Sequence, residues 1–262
     1  MNTIARLGNS TLEGWREICY LAGIIWQSFA VAVKPRYWTR VVRAELYRQI
    51  ISTGIDATGF VFYVACAVGI SVVAQVLVWL QIIGQTLSLG PLLVTVLIRE
   101  AAPVLINLLV IGRIGTALAA ELGNMKIDGE VRALDSQGLD PFIYLVMPRV
   151  LSLTLSTFCL AVLFVVVAFA SGYLSSLVLS RSALDPGTFG RSIIFSISPV
   201  DLINFLSKTV IPALFTGAIC CSQGLRVQTS LMEVPKVTKR ALALSVRALF
   251  GITVLVSLLT YI

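Results

Sequence analysis

The chain has 262 residues, of which 57% are hydrophobic and 13% charged, with a formal net charge of +7. Soluble domains carry about 25% charged residues, so this composition argues against an ordinary soluble fold. Histidine is absent, which excludes Ser-His-Asp and Cys-His catalysis, the H-E-x-x-H zinc motif and a histidine proton relay.

Residues 1–50 read as an amphipathic region. Leu12, Trp15, Ile18, Cys19, Leu21, Ala22, Ile25 and Trp26 recur at helical spacing. Arg6, Arg16, Lys34, Arg36, Arg40, Arg43 and Arg48 flank or follow them. The apolar run 21–33 is shorter than the roughly 20 residues that a ~30 Å hydrocarbon layer requires. The expectation is an interfacial helix lying on the cytoplasmic leaflet, broken at Lys34-Pro35 because the residue before proline avoids the α region.

The first span is expected over 59–83, uncharged throughout, and residues 84–90 form a short turn. The second runs over about 91–123. Its Gly112, Gly115, Thr116, Ala119, Ala120 and Gly123 permit close helix contact, either within the chain or between subunits. The third covers 142–180 and has no charged residue from 150 onward. At 1.5 Å per residue it exceeds the bilayer and must tilt or project. Residues 181–201 are polar and turn-rich. Asp185-Pro186 there reads as a helix N-cap followed by proline at the first helical position, and 192–197 suggests a short surface helix. The fourth span covers 202–225 and contains Lys208 and Pro212. A basic loop, 226–240, leads to the fifth span, 241–262. The fold class is therefore all-α integral membrane: an N-terminal amphipathic interfacial helix plus five transmembrane helices, in one domain over 1–262.

Excess Lys and Arg mark cytoplasmic loops. With the N-terminus inside, seven basic residues precede the first span. Lys126, Arg132 and Arg149 lie in or beside the second loop, and Arg226, Lys236, Lys239 and Arg240 follow the fourth span. The outer loops hold Arg181 and Arg191. This asymmetry places the N-terminus and residues 126–137 in the cytoplasm, and it accounts for the net charge without nucleic acid. No cleavable signal peptide is expected, because the first 20 residues lack an apolar core.

Two stretches carry chemistry. Arg99-Glu100 lies within the second span, where an ionisable residue costs about 2.5–3.5 kcal/mol on insertion scales. The pair either meets a substrate headgroup or gates a cavity, or forms a buried ion pair, with Lys208 a candidate partner, that fixes helix register. Pro103 loosens the helix nearby and frees backbone carbonyls. The second stretch is a short charged helix at 126–137, bearing Lys126, Asp128, Glu130, Arg132 and Asp135. Ile127, Val131 and Leu134 recur at i, i+4 and i+7 and give it one apolar face, suited to a groove in a partner. The five cysteines form no C-x-x-C pair, so neither a disulfide framework nor a metal site is expected. No G-x-x-x-x-G-K-[ST] is present, so ATP binding is not expected on this chain.

Residues 98–149 contain Glu100, Pro103, Gly112-Arg113, Gly115-Thr116-Ala117, Ala120-Glu121-Leu122-Gly123, Asp140-Pro141 and Pro148-Arg149. This segment resembles the signature of the MlaE-type permeases, the membrane subunits of ABC transporters that work with MCE proteins in lipid traffic. Two departures stand out: Glu100-Ala101-Ala102-Pro103 where the family usually has E-L-G-P, and Asp128-Gly129-Glu130 where it usually has T-E-Q. The resemblance implies a non-catalytic permease in the bacterial inner membrane, working as a homodimer. It implies a coupling helix at about 124–140 docking on an ATPase dimer, with ATP and magnesium on that partner and no cofactor on this chain. It implies a periplasmic MCE-domain partner and a phospholipid or related lipid held between the first two spans. Trp79, Leu80 and Ile83 match pocket-lining positions, with Arg99 and Glu100 nearby, while Glu121, Lys126, Asp128, Glu130, Arg132 and Asp135 fall to ATPase coupling. The alternative class is a secondary transporter using Arg99, Glu100 and Lys208, for which five spans and the lack of an inverted repeat are a poor fit.

Overall fold

A computed structural model describes residues 19, 21–28, 30–32, 34, 38–83, 89–179, 186–228 and 230–261. Five of its helices are long and apolar enough to cross a membrane. In chain order the helices are α1 (Leu21–Ala32), α2 (Arg40–Ile83), α3 (Gly90–Ile127), α4 (Glu130–Ser136), α5 (Phe142–Leu177), α6 (Pro186–Ser196), α7 (Pro199–Gly224) and α8 (Val234–Tyr261). The fold class read from the sequence is the one observed. Residues 1–18, the turn 84–88, and Asp185 lie outside the described residues.

The first span starts far earlier than residue 59. Thr39 accepts the Val42 N–H on its Oγ1 at 3.4 Å and so caps α2, which then runs unbroken for 44 residues, about 66 Å. Hydropathy located only the apolar part. The polar segment 40–58 stays helical because its side chains pair along the helix: Gln49 with Glu45 at 3.0 Å, and Arg48 with Glu45 at 3.6 Å.

Helices α2 and α5 pack through small residues. A Cβ on Gly69 would collide with the Ala168 carbonyl, and one on Gly172 with Val73, so the two backbones touch directly. The small residues of α3 face inward likewise. Gly115 lies against Cys220 and Thr216, Gly123 against Val227 and Val234, and Ala119 against Gly224. Their role is packing within the chain, while Gly112 faces open space. Val94, Leu97, Ile106, Leu122, Val150, Phe164 and Ile219 fill the core between α3, α5 and α7.

Helix α3 is interrupted by two π-helical stretches, Val94–Ala101 and Ile111–Gly115. Both coincide with signature residues, and π-turns concentrate at functional sites. At the end of α3 the chain turns sharply. Gly129 adopts φ 83° and Gly138 φ 73°, left-handed values that glycine accepts readily. Gly138 closes α4: its N–H bonds the Asp135 carbonyl, and the Leu139 N–H bonds that of Leu134, the paired pattern of a Schellman stop. Asp140 then accepts the Phe142 N–H at 2.9 Å ahead of Pro141 and starts α5. Thus the expected helix 126–137 is two pieces: the last turn of α3, and α4. The bundle end carrying α4 and the 225–233 loop is rich in Lys and Arg, and we call it the basic end. At the opposite end α6 packs on the start of α3, where Gly90 abuts the Ser192 carbonyl.

Candidate functional site: a polar seam and a charged base

Prolines set the geometry of the seam. Pro103 has no N–H, so the Arg99 carbonyl four residues earlier loses its α-helical donor. Lys208 of α7 takes that place, donating to the Arg99 carbonyl at 3.1 Å and to Glu100 Oε1 at 2.7 Å. Pro212 frees the Lys208 carbonyl in the same way. Asn107 of α3 donates to it at 3.3 Å, as well as to the Thr209 and Pro103 carbonyls. Each helix therefore satisfies the carbonyl that a proline exposes on the other.

Charge completes the seam. Arg99 pairs with Asp201 of α7. Asp201 also accepts the Ser198 N–H at 2.9 Å in the capping box that opens α7. Arg99 and Glu100, adjacent in sequence, thus make two separate bridges to α7, since helical neighbours point in different directions. Lys208 is fully buried, whereas the Glu100 side chain is 45% exposed, so the seam opens outward at Glu100. Between the two bridges sits Asn204, 2% exposed, whose amide oxygen and nitrogen have no hydrogen-bond partner among the described residues. Asp201, Asn204 and Lys208 form an i, i+3, i+7 stripe. That spacing was present in the sequence but was missed because Asp201 was assigned to the preceding loop.

Trp79, near the end of α2 away from the basic end, is 60% exposed. The side chains of Leu80 and Ile83 lie outside the described set.

At the basic end, Arg149 is the central residue. Its side chain is 1% exposed, yet it donates to Glu121 at 2.8 Å, to the Leu145 carbonyl at 3.2 Å and to Met125 Sδ at 3.4 Å, and lies 3.8 Å from Glu45. It joins α2, α3 and α5 at one point. Glu121, grouped from sequence with the coupling residues, is thus engaged within the bundle, and Lys126 is tied to the Leu225 carbonyl at the end of α7. Asp128, Glu130, Arg132 and Asp135 make no ion pair among the described residues, and all four are exposed. The apolar face of α4 is half used already, since Val131 and Leu134 pack on the core. Among the described residues no group of three His, Cys, Asp or Glu could hold a metal ion.

Five span-length helices, charged bridges between two of them, and a charged helix at one end define a multi-pass membrane protein. Comparison with known sequences gives the family. Residues 46–259 match the family model Permease MlaE. The chain is 32% identical to a probable ABC transporter permease protein of Synechocystis, over 80% of each chain. It is 27% identical to the intermembrane phospholipid transport system permease protein MlaE of Haemophilus influenzae, over 88% of this chain and 90% of that one. It is also 27% identical to the chloroplastic protein trigalactosyldiacylglycerol 1 of Arabidopsis thaliana, over 86% of this chain and 66% of that one. The chain belongs to the MlaE permease family: it is an ABC-type permease and not an enzyme.

Proposed function

We propose that this chain is the membrane subunit of an ABC transporter that moves phospholipid, or a related lipid, between the bacterial inner membrane and a periplasmic MCE-domain protein. Two copies form the working permease, with the N-terminus and the basic end in the cytoplasm. ATP and magnesium belong to a separate ATPase dimer, which docks on Asp128 at the turn before α4 and on Glu130, Arg132 and Asp135 of α4. Lipid enters between α2 and α3, with acyl chains along the apolar surface near Trp79 and the headgroup at Arg99 and Glu100.

The observation that carries the lipid reading is the half-open seam. A buried amide without a partner costs about 1–3 kcal/mol, and Asn204 stands in that condition between two ion pairs. A polar headgroup arriving through the opening at Glu100 would supply the missing partner, while the span surface holds the chains. The relative from Haemophilus influenzae, a phospholipid transport permease by name, agrees with this substrate class.

The test reverses charge on α4, Glu130→Lys with Arg132→Glu, in cells expressing the whole transporter. We expect loss of ATPase co-purification with melting of the permease unchanged, since these side chains are exposed and form no ion pair among the described residues. Orientation is read in parallel with Ser136→Cys. Full co-purification and transport in the reversed protein, or labelling of Ser136→Cys from outside intact spheroplasts, would refute the docking role or the orientation respectively.

A further inference from the structure

A second polar site lies at the basic end, outside the seam. A cavity of about 170 Å³ opens between α2, α3 and α5, lined by Ser52, Thr53, Asp56, Arg113, Glu121 and Arg149 among others. One water needs roughly 10–15 Å³ of such volume, so the space is far larger than a single solvent molecule. Along α2, Asp56 is 23 residues from Trp79, about 35 Å. The cavity and the Trp79 region are therefore separated by about one hydrocarbon thickness, which is ~30 Å.

Its charges are only partly used. Arg149 and Glu121 bind each other, but the Arg149 Nε–H is buried with no hydrogen-bond partner among the described residues. Arg113 on one wall and Asp56 on the other are both exposed, and neither forms an ion pair among the described residues. The cavity thus offers one spare cation, one buried unfilled donor and one spare anion. A phosphate satisfies the first two, and an ammonium group satisfies the third.

The surface beyond the cavity fits acyl chains. Asp56, Phe60, Tyr63, Ala67 and Ile70 follow at helical spacing and all are exposed. From Asp56 to Ile70 the stripe is about 21 Å long, roughly two thirds of the ~30 Å layer. Gly112, one residue before Arg113, leaves open space opposite.

We infer that this cavity is a binding site for the headgroup of a zwitterionic phospholipid from the leaflet at the basic end, with phosphate on Arg113 and Arg149 and ammonium on Asp56. The permease would then hold headgroups at two levels, about 21 Å apart along α3 between Arg99 and Arg113. The inference takes from the proposed function only the class of ligand; binding here and transport are measured separately.

The experiment places a thiol at the cavity by Ser52→Cys in the full chain, with Cys19, Cys66 and Cys159 replaced by Ala. Maleimide labelling is followed in nanodiscs of phosphatidylglycerol alone and of phosphatidylglycerol mixed with phosphatidylethanolamine. We expect the zwitterionic lipid to slow labelling about 10-fold, as one charge-assisted contact would. Asp56→Asn and Arg113→Gln, both at exposed side chains, should each abolish the protection, while Glu100→Gln should leave it intact. Equal labelling in both nanodiscs would overturn the site. So would slow labelling in both, since phosphatidylglycerol supplies the phosphate but no ammonium. Two controls in detergent separate the sources. Protection by inorganic phosphate would reduce the site to an anion site, and protection by glycerophosphoethanolamine without protection by the lipid would make the ligand soluble; either result overturns the assignment. A chain that binds the lipid here but transports nothing would refute the proposed function and leave the site standing.

Discussion

Replacing Glu100 by Gln tests how much of the seam depends on charge. Lys208 is fully buried and holds two acceptors, the Glu100 carboxylate at 2.7 Å and the Arg99 carbonyl at 3.1 Å. Breaking a buried pair costs about 3–5 kcal/mol when the survivor remains charged and enclosed. Glu100 is 45% exposed, and glutamine retains an acceptor oxygen, so the expected loss is smaller, about 1–3 kcal/mol. For a domain of this size each kcal/mol shifts the melting temperature by about 2–4 °C, which gives a drop of roughly 2–12 °C. Lys208→Met should cost less, because Glu100 can turn its freed carboxylate to the open side. The double variant should then be more stable than Glu100→Gln alone, with a coupling of about 1–2 kcal/mol. The assay is thermal melting of the purified wild type, both single variants and the double variant in one detergent. Additive losses across the cycle would show that the two side chains stand close without supporting each other, and the argument for the bridge would fail.

Two further outcomes follow from the packing. Arg149→Met should destabilise by about 1–3 kcal/mol, since Glu121 and Glu45, left together without their cation, are both partly exposed; Arg149→Lys should rescue it poorly, since a single ammonium cannot serve acceptors on three helices, and melting of the two variants decides this. Gly172→Leu should separate α2 from α5, because even a Cβ there overlaps Val73; a cost of about 1–3 kcal/mol from overpacking should appear in melting, and an unchanged melting temperature would refute the contact.

Much of the fold was legible from hydropathy alone, because a span length is fixed by the bilayer and not by neighbouring helices. The start of α2 was not legible by that means. Arg40, Arg43 and Arg48 lower hydropathy yet favour helix, so the apolar boundary and the helix boundary are different quantities. The charged pair was visible, and Lys208 could be named as a partner. Asp201 could not, because composition puts it at the end of the polar stretch 181–201 and outside the fourth span. Arg149 appeared only as the end of a signature, and its grip on Glu121 and Glu45 emerges from the three-dimensional meeting of α2, α3 and α5. The charges of α4 were read as one helix with Lys126. A left-handed glycine at 129 divides them, a conformation that sequence permits at any glycine and requires at none.

The seam also bears on how the protein is made. Glu100 and Lys208 lie 108 positions apart. A ribosome adding about 5–20 residues per second releases α3 with both charges some 5–20 s before α7 can neutralise them. During that interval the young α3 carries two ionised groups, each costing about 2.5–3.5 kcal/mol in hydrocarbon. Insertion must shelter it until the fourth span arrives. A chain broken off before residue 199 lacks both Asp201 and Lys208 and never leaves that condition.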